Sequence, residues 1–150
     1  MTAAVRRAIA AVLASCVAST ALAAAGDEHL RFSIPAALEK GQSYRTKLEL
    51  DVRLFFGGQM APGIAKRMIT ATANAKSNAV GKSDQEACDI AFISALARLQ
   101  QRARTEGGNA VVNIKSTYRG ENFEGAAEYV CGAGRIAVGV TLEGTVVRLE

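Results

Sequence analysis

The sequence predicts an α+β fold: an antiparallel or mixed sheet of about five strands, with one main helix at about residues 84–106 packed on one face. Three observations lead there. Two segments before residue 80 alternate apolar and polar side chains with period 2. One later segment carries start and stop signals of a helix at both ends. Further period-2 segments then follow one another across short turns, which favours neighbouring antiparallel strands over regular strand–helix alternation. A chain of 150 residues fits one compact domain.

Residues 1–25 stand apart from that domain. They hold 19 apolar residues, 11 of them Ala, and no acid. Arg6 and Arg7 give a positive start, and residues 8–22 form an apolar stretch of 15 broken only by Ser15, Ser19 and Thr20. Ala21-Leu22-Ala23 and Ala23-Ala24-Ala25 both fit the small-x-small cleavage pattern, so the segment reads as a secretory signal peptide. A retained membrane helix fits less well, because the stretch is short for a hydrocarbon core of roughly 30 Å. Leu13-Ala14-Ser15-Cys16 also matches a bacterial lipobox, which would lipidate Cys16 and anchor the protein to a membrane. The short apolar run before Cys16 and the apolar chain after it argue against that. The expectation is a periplasmic or secreted protein, with a lipoprotein anchored through Cys16 as the alternative.

Charge narrows the partners. The chain has 18 Lys+Arg and 14 Asp+Glu, a net charge of +4. Without Arg6 and Arg7 the balance is 16 to 14, or +2. That is no basis for a nucleic-acid binder, which needs a concentrated basic surface.

Residues 26–44, punctuated by Pro35 and Gly41, show weak periodicity and read as a loosely ordered lead-in to a single domain over residues 45–150. Leu48, Leu50, Val52 and Leu54 alternate with Lys47, Glu49, Asp51 and Arg53, which predicts a strand with one wet face. Gly57-Gly58 and Pro62-Gly63 mark turns. Ile69, Ala71, Ala73 and Ala75 alternate with Thr70, Thr72, Asn74 and Lys76, a strand whose small inward side chains invite close packing.

The helix follows. Ser83-Asp84-Gln85-Glu86 is a capping box, and Asp84 and Glu86 suit the positive end of the helix dipole. Cys88, Phe92, Ala95, Leu99 and Ala103 fall on one apolar stripe, and Gly107-Gly108 stops the helix. Beyond it, residues 109–118 place Val112 and Ile114 opposite Val111 and Asn113. Ala127, Tyr129 and Cys131 share one face of the next segment; Ile136, Val138, Val140 and Leu142 share one face of the last, which residues 146–149 extend past Gly144.

Removing the leader removes Cys16 and leaves Cys88 and Cys131. An even count in an exported protein favours a disulfide. Cys88 near the helix start and Cys131 on a strand face could be joined, at a gain of roughly 4 kcal/mol in the chain-entropy account. A redox-active pair is the competing reading, but such pairs normally sit as C-x-x-C.

Most chemical motifs fail on spacing. Gly81-Lys82-Ser83 resembles the end of a phosphate loop, yet Lys76 stands where its first glycine belongs. Gly58 and Gly63 have that loop's first spacing, but Ile64 takes the lysine position. Gly132-Ala133-Gly134-Arg135-Ile136-Ala137 matches G-x-G-x-x-A but leads into a strand, where a dinucleotide site needs a helix. His29 is the only histidine and lies in the lead-in, so neither a metal cluster nor a triad base is expected, and the residue reads as exposed tail. Glu121, Glu124 and Glu128 surround Phe123 and Tyr129; they read as a solvated acidic edge, with acid/base work as the sharper alternative. Arg98, Arg102 and Arg104 crowd the helix end, where cations are favourable in any case, and offer a candidate surface for an anionic partner.

With these residues in view, two resemblances emerge. Gly81-Lys82-Ser83-Asp84-Gln85-Glu86-Ala87-Cys88, Ala95-Leu96-Ala97-Arg98-Leu99-Gln100, Gly107-Gly108-Asn109-Ala110-Val111-Val112-Asn113-Ile114 and Tyr129-Val130-Cys131-Gly132-Ala133-Gly134 resemble a family of small exported proteobacterial proteins of unknown function. With the strand at residues 52–56, the likeness covers about residues 45–149. Some members carry the name "excinuclease ATPase subunit". This sequence has no Walker motif, no zinc cysteines and an export signal, so a DNA-repair ATPase is rejected. More distantly, an alanine-rich helix running into Gly-Gly-Asn-Ala-Val-Val is similar to the YbjQ-like superfamily and the Rcs-pathway envelope stress-sensor lipoprotein. That resemblance implies a helix packed on a sheet, and a cysteine near the helix start paired with one on a later strand, matching Cys88 and Cys131. The sensor's second disulfide has no counterpart here.

The function expected from sequence is therefore a non-catalytic binding or interaction module of the cell envelope. It would have an envelope protein partner and use no cofactor, no ATP and no nucleic acid. One alternative is a small hydrolase using the Glu121/Glu124/Glu128 edge. Another is a ligand- or metal-binding oligomer, by analogy with the heavy-metal name given to some YbjQ-like proteins.

Overall fold

In the computed structural model, residues 28–150 are described; the expected signal peptide and the Cys16 lipobox lie outside them. The elements run β1 (Glu28–Ser33), α1 (Ile34–Gly41), β2 (Arg53–Phe56), β3 (Ile64–Asn78), α2 (Asp84–Thr105), β4 (Ala110–Ser116), a single 3-10 turn (Tyr118–Gly120), β5 (Glu128–Ala133) and β6 (Ala137–Leu149). The six strands form one mixed sheet. β6 is its hub, pairing antiparallel with β3 along one side and with β4 and the end of β5 along the other. β1 extends the sheet antiparallel beyond β5, and β2 extends it parallel beyond β4. This is an α+β architecture, the class the sequence predicts.

Helix α2 forms where its caps say it should. Ser83 Oγ accepts from the Glu86 amide at 3.1 Å, and Gly107 (φ +79°) takes the left-handed turn that lets the Gly108 amide reach the Ala103 carbonyl at 2.8 Å. Cys88, Phe92, Ala95, Leu99 and Ala103 are all fully buried. They share one core with Ala71, Ala73 and Ala75 of β3 and with Val138, Val140, Leu142 and Val146 of β6. The three alanines keep that face of β3 low, so the helix lies close to the strand. A smaller cluster of Ala110, Val112, Val147 and Leu149, flanked by Phe55, Ala61 and Ile64, covers part of the other face.

Four expectations are corrected. Residues 28–41 are not a loose lead-in. β1 pairs with β5 from Glu28↔Ala133 to Ser33↔Glu128, and α1 buries Ile34 and Ala37, with Ser33 Oγ capping the Ala36 amide at 3.3 Å. An eight-residue helix shows too few turns for its period to be seen, and β1 finds its partner only far along the chain. His29 is accordingly part of a strand.

Residues 47–52 are not strand. β2 starts at Arg53, opposite Ala110, and the preceding backbone bonds to a side chain instead. Gln100 Nε2 donates to the Glu49 carbonyl at 2.7 Å and the Val52 carbonyl at 2.8 Å, while its Oε1 accepts from the Glu49 amide at 3.0 Å. Leu50 consequently points to solvent, 97% exposed.

In β4, Val112 and Ile114 do not share a face. Asn113 takes φ +52° in a bulge between Val112↔Thr145 and Lys115↔Glu143, so Val111 and Ile114 enter the main core while Val112 joins the second cluster. The final strand, β6, runs unbroken through Gly144 and leaves Ile136 outside it, 74% exposed. With β1, the sheet has six strands, close to the about five expected.

Candidate interaction edge

Strand β3 is 15 residues long and carries Lys66, Arg67 and Lys76 but no acid. Its inward residues are alanines, and Thr70, Thr72, Asn74 and Lys76 are exposed. Among the described residues the strand is paired with β6 on one side only, and the ladder parity shows which groups face the open side. Thr141, opposite Asn74, gives its carbonyl to the Thr117 amide at 2.9 Å, away from β3. Asn74 and Thr141 are thus a non-hydrogen-bonded pair, and Asn74 turns its own N–H and C=O outward. Thr70, Thr72 and Lys76 have the same parity.

Helix α2 runs alongside. Arg98 Nη1 reaches over and donates to the outward Asn74 carbonyl. A cleft of about 440 Å³ lies between strand edge and helix, lined by Thr70, Thr72, Arg98, Gln101, Arg102 and Thr105. Within it Arg102 pairs with Glu106 at 2.9 Å on its own helix, whereas Arg98 makes no ion pair among the described residues. Glu143, on the sheet opposite Thr72, is held by Lys115 at 3.2 Å.

The three arginines singled out in the sequence do not form one surface. Arg98 and Arg102 line the cleft. Arg104 turns away and grips Asp51 with two bonds, Nε to Oδ2 at 2.8 Å and Nη2 to Oδ1 at 2.7 Å. The Arg104 guanidinium holds the Asp51 carboxyl below its ordinary range, so the pair ties the 47–52 segment to the helix end.

The three glutamates do not converge. Glu121 Oε2 lies 2.6 Å from His29 Nδ1, Glu124 lies 3.8 Å from Lys115, and Glu128 is exposed on β5 opposite Ser33. Among the described residues no group of three or more His, Cys, Asp or Glu converges as a metal site needs. Gly81 (φ +75°) is a turn before the helix cap, and Gly134 closes the β5–β6 turn through its amide to Ala137.

Cys88 and Cys131 form a disulfide, Cα to Cα 6.0 Å, that joins α2 to β5. Beside it lies an arrangement the sequence reading missed. Asp89 is fully buried; its Oδ1 accepts from the Tyr129 hydroxyl at 2.6 Å, and its Oδ2 has no hydrogen-bond partner among the described residues. Lys40 Nζ of α1 stands 3.9 Å from Oδ2. Burial pushes the Asp89 carboxyl up, against the lowering effects of the Tyr129 bond and the Lys40 charge. The Tyr129 ring stacks on Phe92, centroids 4.0 Å apart. Asp89, Ile93, Leu96 and Gln100 make a second buried stripe on α2 at helical spacing, and that spacing is the signal that could have revealed both polar residues.

No protein-family model matches the chain, and no curated protein matches it. Among the described residues, no helix is long and apolar enough to cross a membrane.

Proposed function

We propose that this chain is an exported protein of the bacterial cell envelope that acts as a non-catalytic interaction module, receiving another protein along the open edge of β3. The observation that carries this reading is the unpaired edge itself. A long strand with free backbone groups beside a cleft is a template for another chain, and proteins normally cover, shorten or bend such edges. Among the described residues, the Arg98 side chain occupies one carbonyl of it. The leader of residues 1–25 and the Cys88–Cys131 bridge support export, since disulfides persist in oxidising compartments. The likeness to small exported proteobacterial proteins supports the same compartment.

The test is site-specific photocrosslinking in intact cells. A benzophenone amino acid at Thr72 should give a discrete, reproducible crosslinked species in the periplasmic or secreted fraction, and the same group at Arg135, in the β5–β6 turn, should not. Identical patterns from both positions, or a protein that stays in the cytoplasm with reduced cysteines, would sink the reading.

A further inference from the structure

We infer that the occupant of the β3 edge is an acidic segment of another protein that adds to the sheet as an extended strand, with Arg98 exchanging its bond to the Asn74 carbonyl for a carboxylate of that segment. The inference rests on the interaction reading above and gives the partner its chemistry.

Two kinds of group face the occupant. Thr70, Thr72, Asn74 and Lys76 offer backbone amides and carbonyls at alternate positions, the pattern a pairing strand requires. The charge of the strand itself has one sign. Lys66, Arg67 and Lys76 are exposed and belong to none of the ion pairs of the described residues. Arg98 adds a cation at the cleft, and β3 has no acid to offset them. Of the acids nearby, Glu106 and Glu143 are already held by Arg102 and Lys115, and Glu150 lies beside Gly63 just before the strand begins. An incoming segment with carboxylates at alternate positions therefore meets uncompensated positive charge along its length, and complementary charge sets both choice of partner and encounter rate.

The same charges disfavour a second copy of this chain as the occupant. Two β3 edges paired antiparallel about residues 71 and 72 would set Arg67 of each strand opposite Lys76 of the other. Like charges across a strand pair are destabilising. Arg98 plays the gate: in the empty edge it satisfies the Asn74 carbonyl, and on strand addition an incoming N–H takes that carbonyl and frees the guanidinium.

The experiment uses the purified protein and three labelled ten-residue peptides. One alternates Glu with Thr and Val, the second has Lys in place of Glu, and the third has Pro at alternate positions of the Glu peptide. Fluorescence anisotropy should show the Glu peptide binding at least tenfold tighter than either of the others, with affinity falling as salt rises. Amide exchange should slow at Thr70, Thr72, Asn74 and Lys76 when the Glu peptide is present. Thr72→Pro deletes an outward amide without touching the β6 ladder and should weaken binding at least tenfold. Should Thr72→Pro lower the melting temperature, the Arg98→Glu/Lys76→Glu variant takes its place and should reverse the preference toward the Lys peptide. Equal binding of the Glu and Lys peptides, or protection elsewhere in the molecule, overturns the inference. A crosslink from Thr72 in cells combined with that result would leave the interaction reading standing and remove only the acidic strand. Loss of both would remove both.

Discussion

The Tyr129 hydroxyl, on β5, donates to Oδ1 of the fully buried Asp89, on α2, at 2.6 Å. The bond runs beside the Cys88–Cys131 bridge between the same two elements, so helix and strand are joined covalently and by a short polar contact. Because burial raises the native Asp89 pKa above its ordinary value of 3.8, the folded protein holds the proton more tightly than the unfolded chain. The stability Asp89 contributes is complete below that ordinary value and is lost as pH rises through the native one.

Asp89→Asn removes that proton linkage. The wild-type melting temperature should carry a falling contribution from about pH 4 upward that the Asp89→Asn variant lacks. Wild type should therefore compare best with the variant in acid and worst at neutral pH. Parallel melting profiles from acid to neutral pH would show that Asp89 has no raised native pKa.

Replacing Cys88 and Cys131 together by Ala should cost about 2–4 kcal/mol in denaturant unfolding. Both cysteines are fully buried, so reductant reaches the bridge only when the structure opens. The reduction rate in native buffer should follow the unfolding rate, and fast reduction of the folded protein would contradict that burial.

Gln100→Ala should destabilise by roughly 2–3 kcal/mol, since it strips partners from three part-buried or buried backbone groups of Glu49 and Val52. Amide exchange should rise first in residues 47–52. The Asp51–Arg104 pair is exposed and cannot substitute for it.

Asn113 holds φ +52° in the β4 bulge. Asn113→Val should cost about 1–2 kcal/mol, because a β-branched side chain is strained there, whereas Asn113→Gly should be neutral or slightly stabilising. Equal stability of the two variants would mean that the bulge shifts along the strand.

Gly132 is crossed by the Tyr118 ring. A Cβ at that position would lie 2.2 Å from ring atoms, and the ring is also edge-on to His29 at 5.3 Å. Gly132→Ala should cost about 1–3 kcal/mol by forcing the ring aside. In a Tyr118→Ala background the same change should cost far less, as a double-mutant cycle would measure.

What the sequence made legible was local. The α2 boundaries follow from Ser83 and Gly107-Gly108, whose hydrogen bonds involve residues a few positions away. The inward alanines of β3 follow from strict alternation. What it hid was decided at a distance. Residues 47–54 alternate like a strand, yet Gln100 takes up the backbone of Glu49 and Val52, and strand pairing starts only at Arg53. One φ angle at Asn113 moves Val112 to the opposite face from Ile114. The β3 edge was half visible: its missing acids can be read from the sequence, but its lack of a second neighbour depends on where β6 puts β4 and β5.

The position of β6 also sets a timetable for folding. β6 follows β3, β4 and β5 in the chain and is the strand against which all three are zipped. During synthesis only the β1–β5 and β2–β4 pairs can close before it is made, and they cover only part of the α2 stripe, Cys88 through Cys131 and Phe92 through Tyr129 and Phe56. A chain bound for export, as proposed above, would thereby stay open to translocation until late. Most of its cooperativity arrives in one step with its hub strand. Contacts of such long sequence separation also make that step slow.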